Sequence, residues 1–101
     1  MKKIETFIPK EALTTIQEAL LKADAGRIGN YAGCMTWYPV MGSWIPLEGA
    51  KPYCGRTSGR VTVEEIKIEV LAEDGNVNDV VSDIRRVHPY EEPVINVIQL
   101  L

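Results

Sequence analysis

The sequence predicts an α+β domain in which a four-stranded antiparallel sheet carries two helices on one face. Three observations predict it. Segments on either side of the middle show apolar residues at helical spacing. Segments at both ends and in the centre show strand patterning. Their order along the chain is β-α-β-β-α-β. Right-handed crossovers turn that order into the ferredoxin-like sandwich, a single domain over residues 1–101.

The first strand is read from Ile4, Thr6 and Ile8, which alternate with Lys3, Glu5 and Phe7. Pro9 stops it and can open a helix at the first helical position, where Glu11 meets the positive helix end. Leu13, Ile16, Leu20 and Ala23 then recur at helical spacing, and Gly26 is a candidate for the left-handed residue that closes the helix. Residues 31 to 47 are aromatic and β-prone, with Gly42-Ser43 placed to turn an extra β-hairpin. Residues 48 to 60 hold three glycines and a proline and read as a loop. Ile66, Ile68 and Val70 form a clear strand. Val61 and Val63 lie on the opposite parity, which implies a bulge near Glu64-Glu65 or a strand shared between two surfaces.

Val77, Val80, Val81, Ile84 and Val87 make one apolar helical stripe, with Arg85 and Arg86 suited to its negative C-terminal end. Pro89 prevents continuation. Residues 93–101 are nearly all apolar, which suits a central strand covered on both faces. The sheet face without helices is expected to be apolar and covered by another subunit.

Bulk properties narrow the function. The chain has 101 residues, enough to bury roughly two-thirds of its unfolded surface in a core. A net charge of −3 with no basic run argues against nucleic acid, which needs a cationic patch. No apolar run approaches a membrane span. The N-terminal residues do not form a signal peptide, so a cytoplasmic location and reduced Cys34 and Cys54 are expected. Two cysteines twenty residues apart make no zinc motif. No catalytic constellation is visible, and an enzyme is not expected.

Four stretches carry a resemblance: Gly26-Arg27-Ile28-Gly29-Asn30-Tyr31, Trp44 to Pro52, Cys54-Gly55, and His88-Pro89-Tyr90-Glu91-Glu92-Pro93. In that order they resemble the small stand-alone relatives of the domain inserted into dinuclear-metal-centre proteins, the Nif-three-like (YqfO) family. The last motif is also similar to one near the C-terminus of CutA proteins. The resemblance implies a PII/CutA-like form of the fold and a homo-oligomer, a trimer before a dimer. It implies a binding or regulatory module, or an assembly domain without a ligand. The family's metal ligands lie in the halves that flank this domain. One histidine cannot supply a histidine-rich dinuclear site.

Three groups of residues are candidates for function. In the stiff turn between Pro89 and Pro93, His88 either caps the preceding helix while Tyr90 packs, or joins Glu91 and Glu92 in holding a divalent metal ion, the candidate cofactor. An acid/base role would need a substrate cleft or nucleophile that the sequence does not reveal. Gly26, Arg27, Gly29 and Asn30 form either a tight turn with a solvated arginine or an anion loop. They follow a helix end and lack the strand-to-helix geometry of a phosphate loop. Trp37, Tyr38 and Trp44 bracket a flat ligand or, as favoured here, form a subunit contact.

Overall fold

A computed structural model describes residues 1–55 and 58–101. The strands are β1 (Lys2–Ile8), β2 (Met35–Trp44), β3 (Val61–Ala72) and β4 (Ile95–Gln99), and the helices are α1 (Leu13–Lys22) and α2 (Val77–Val87). The sheet is antiparallel with order β2-β3-β1-β4. This is the ferredoxin-like arrangement that the element order predicts. The core lies between sheet and helices. Ile4, Ile8 and Ile68 meet Ile16 and Leu20 of α1 and Val80 and Ile84 of α2, all essentially inaccessible. Burying each such side chain is worth about 1.5–3 kcal/mol.

Helix α1 ends in a Schellman motif: Ala25 N–H donates to Leu20 O and Asp24 N–H to Leu21 O. Asp24, at φ 60°, takes the left-handed position expected of Gly26. Gly26 is needed for another reason. Its N–H donates to Leu71 O, and a Cβ on it would lie 2.5 Å from Cys34 O. The backbone passes too close for any side chain.

Three other expectations are corrected. The extra hairpin over 31–47 is absent: β2 runs straight through Gly42-Ser43 and pairs with β3 from Met35↔Val70 to Trp44↔Val61. Gly42 is not a turn residue. A Cβ there would collide with Glu65 Oε1, so the glycine gives clearance to a cross-strand side chain. The unbroken register also excludes a bulge near Glu64-Glu65. Instead β3 is shared between two surfaces. Ile68, Val70 and Ala72 face the helices, while Val61 and Glu65 are buried on the opposite parity. β1 reaches only to Ile66 of β3, so residues 40–44 and 61–65 continue as a two-stranded arm. Last, β4 is an edge strand, paired among the described residues with β1 alone, and Val97 and Ile98 are exposed. Its apolar composition does not reflect cover on both faces.

The sheet face away from the helices is not apolar. It carries Lys3, Glu5, Lys67, Glu69, Tyr38 and Asn96, interspersed with Phe7, Leu71 and Ile98. Glu5 is 8% exposed. It accepts from Asn96 Nδ2 at 3.0 Å and lies 3.3 Å from Lys67 Nζ and 3.9 Å from Lys3 Nζ. Lys67 also meets Glu69 at 3.4 Å and lies over the Phe7 and Tyr38 rings. The loop expected over 48–60 is described to Gly55 and from Ser58. Cys34 and Cys54 are free cysteines. Among the described residues no helix is long and apolar enough to cross a membrane.

Candidate functional site

The arm of β2 and β3 leaves the body of the sheet beside the turn that follows α2. Helix α2 stops at Val87 because Pro89 follows, and His88 is its C-cap, extended at ψ 131° with its N–H on Ile84 O. The His88 ring is 8% exposed. Its Nδ1 accepts from Tyr90 N–H at 3.1 Å, so Nε2 carries the proton and donates to Phe7 O at 2.9 Å. One neutral imidazole thus ties the end of α2 to the end of β1 and aims Tyr90 back over the sheet. Burial pushes the imidazole pKa down, opposed by the Phe7 carbonyl and the Glu65 charge.

Tyr90 is the centre of an aromatic group. Its ring lies 4.9 Å from His88, 6.2 Å from Trp44 and 6.0 Å from Tyr53, each pair tilted by about 50°. Its hydroxyl donates to Glu65 Oε2 at 2.8 Å. Burial and then this bond push the phenol pKa well above its usual value. Glu65 is 7% exposed, and no lysine, arginine or histidine among the described residues lies within ion-pair distance of it.

Between the arm, the turn and the loop from Ile45 to Cys54 lies a cleft of about 530 Å³, within the range of small-molecule sites. Ile45, Pro46, Leu47, Ala50, Pro52 and Val94 supply most of its wall, with Trp44, Tyr53 and Tyr90. Glu65, Glu91 and Glu92 supply its charge. Two bonds fasten the loop: Lys51 N–H to Glu91 Oε1 at 3.0 Å, and Tyr53 hydroxyl to Glu11 Oε1 at 2.9 Å.

The expected site residues are only partly brought together. His88, Glu91 and Glu92 do not converge as a metal site. Both imidazole nitrogens are engaged by the backbone, and no group of three or more His, Cys, Asp or Glu suited to a metal exists among the described residues. In the Gly26–Asn30 segment, Ile28 and Tyr31 exchange backbone hydrogen bonds around a tight turn. Arg27 lies 3.5 Å from Asp24, in a hollow that also holds Glu73. Those carboxylates oppose an anion. Trp37 and Tyr38 are about half exposed, but adjacent strand residues point to opposite faces, and Trp44 belongs to the cleft. They form no single patch.

Sequence reasoning missed Glu65 and Tyr53. A signal for Glu65 existed. It shares parity with Val61 and Val63, the apolar pair that precedes it, although Lys67 and Glu69 continue that parity. Tyr53 gave none, since its loop is positioned by long-range contacts.

No family model matches the chain. A protein of Halalkalibacterium halodurans named GTP cyclohydrolase 1 type 2 homolog is 38% identical over 98 residues, 97% of this chain and 26% of that protein. The protein of the same name from Bacillus subtilis is 35% identical over 92 residues, 91% of this chain and 25% of its own. The chain thus spans about a quarter of the length of the curated relatives it matches. Among solved structures, a Bacillus cereus protein related to NIF3 superposes with a TM-score of 0.84 at 31% identity, over 98% of this chain and 25% of that one. The PII-like protein CutA from Nostoc sp. superposes with a TM-score of 0.73 at 21% identity, over 99% of this chain and 81% of that one, a likeness of fold alone. Over nearly all its length the chain is thus similar to a quarter-length stretch of NIF3-related proteins, and it shares the fold of the PII-like protein CutA.

Proposed function

We propose that this PII/CutA-like module binds a small ligand in the cleft between the 45–54 loop and the 88–94 turn. The observation that carries the reading is the construction of that cleft. A buried histidine and two prolines stiffen the turn, the loop is fastened by two hydrogen bonds, and a buried carboxylate forms the floor. Rigid elements that present polar groups inside an apolar hollow are the usual form of a binding site. His88 serves here as a positioning residue for Tyr90, which differs from the metal-ligand role considered from sequence. The relatives' name refers to a GTP cyclohydrolase. For this chain we infer no share in such chemistry, because a triphosphate would meet the carboxylates Glu65, Glu91 and Glu92.

Homo-oligomerisation belongs to the same proposal, with a trimer ahead of a dimer. The support is the unpaired edge of β4, with Val97 and Ile98 exposed on it, since open apolar edges invite pairing. The same observation favours the second reading, an assembly domain without a ligand.

Native mass spectrometry of the purified protein, mixed with small metabolites and separately with divalent metals, tests both parts. The expected result is an oligomer of the 11.3 kDa chain with a small-molecule adduct. The adduct should be lost in Ala50→Trp, which fills the cleft. An adduct unchanged in that variant would place the ligand elsewhere. A bare oligomer under every condition would favour the assembly reading. A metal adduct lost in His88→Ala would restore the metal reading.

A further inference from the structure

We propose that the ligand of this cleft is an organic cation, an ammonium group carried on a small apolar body. The inference rests on the cleft being a binding site and adds the chemical class. Its first support is the carboxylate of Glu65 in the wall of the cleft. Glu65 is more than nine-tenths buried, and among the described residues the one donor to its carboxylate is the Tyr90 hydroxyl. Oε1 lies across Gly42, where any side chain would collide with it. Among the described residues no cation lies within ion-pair distance of this carboxylate, so a ligand that brings positive charge would complement it.

The rest of the cleft points the same way. Glu91 and Glu92 add negative charge, and among the described lining residues none is lysine, arginine or histidine. Arg60 donates to Ser43 Oγ at 3.3 Å and is not a lining residue. Anionic ligands are therefore disfavoured. A bare divalent ion is disfavoured as well, because the wall is mainly apolar and offers no group of three suited donors. Trp44, Tyr53 and Tyr90 line the same cleft as the carboxylate, with their rings tilted against one another. Aromatic faces beside a carboxylate are the environment in which ammonium groups bind, through ring quadrupole and charge together. The apolar wall from Ile45 to Leu47 then takes the body of the molecule.

The test is amide NMR of the full chain at pH 7, titrated with three compounds of like shape: 2-phenylethylamine, 2-phenylethanol and 3-phenylpropionate. The amine should give saturable shifts at Gly42, Glu65 and Tyr90 and at the Trp44 indole, with affinity about tenfold above the alcohol. Glu65→Gln, which can still accept from Tyr90, should weaken the amine about tenfold and leave the alcohol unchanged. If that variant loses its dispersed spectrum, Trp44→Ala replaces it, with the same expected loss for the amine. Alcohol or propionate binding in the cleft as tightly as the amine would overturn the cation assignment and leave the binding site standing. Cleft amides unmoved by all three compounds would overturn the assignment and the binding reading together.

Discussion

Two buried carboxylates stand on the same sheet in opposite circumstances. Glu5, on the open face of the sheet, holds an asparagine amide and two lysines. Glu65, on the arm, holds one tyrosine hydroxyl. Their exposure is nearly equal, 8% and 7%. The Asn96 bond, with the lysines, holds the Glu5 carboxyl below its ordinary pKa of 4.5. A paired acid of this kind belongs to the structure. An acid that no cation among the described residues meets, in a mainly apolar cleft, is better explained by what the cleft receives.

The sharpest way to break this comparison is to remove the scaffold on the cleft side. His88→Ala leaves Phe7 O and Tyr90 N–H without partners, and should cost on the order of 2 kcal/mol in denaturant unfolding. It should also release Tyr90 from the aromatic group, visible as lost shift dispersion around Trp44. A cost near zero would mean that His88 does not hold the turn.

On the sheet face, Asn96→Ala removes the amide from Glu5 and should cost about 1 kcal/mol, without any effect on ligand uptake by the cleft. Loss of uptake in this variant would mean that the two regions are coupled.

Acid titration of stability separates the regions with a smaller effect. His88 is buried neutral and faces Glu65 and Tyr90, and its folded pKa lies below the ordinary 6.5. The unfolded chain therefore binds that proton first. The contribution of His88 is complete above about 6.5 and is lost as pH falls from there through the depressed folded value. Glu5 has a depressed folded pKa too. Its contribution is present above about 4.5 and is lost as pH falls through the folded value. Chemical denaturation from pH 8 to pH 3 should show two declining limbs. His88→Asn should remove only the upper one, and an upper limb that persists would contradict the assignment.

What could be read from the sequence follows the range of the interactions. Both helices, β1 and β3 were legible because their apolar periods are local and face one core. Helix α2 is the clearest case, since its Val77, Val80 and Ile84 stripe is the buried one. β2 was misread because Gly42 answers to Glu65 across the strand pair, not to its own neighbours. β4 was misread because composition does not reveal how many strands flank it. The cleft was legible only in pieces. The rigid turn at 88–93 stood out through its prolines, but Tyr90 and Glu65 are 25 residues apart, and only the fold unites them.

The most direct test of the central claim compares Glu5→Gln with Glu65→Gln in equilibrium unfolding at pH 7. Each removes one buried charge with little change of shape. Glu5→Gln should lower stability, because it removes one of the two carboxylates that Lys67 and Lys3 share. Glu65→Gln should leave stability unchanged or raise it, because among the described residues no cation pairs with this largely buried carboxylate. A loss in Glu65→Gln equal to that in Glu5→Gln would show that Glu65 is a structural acid, and the account of the cleft would fail.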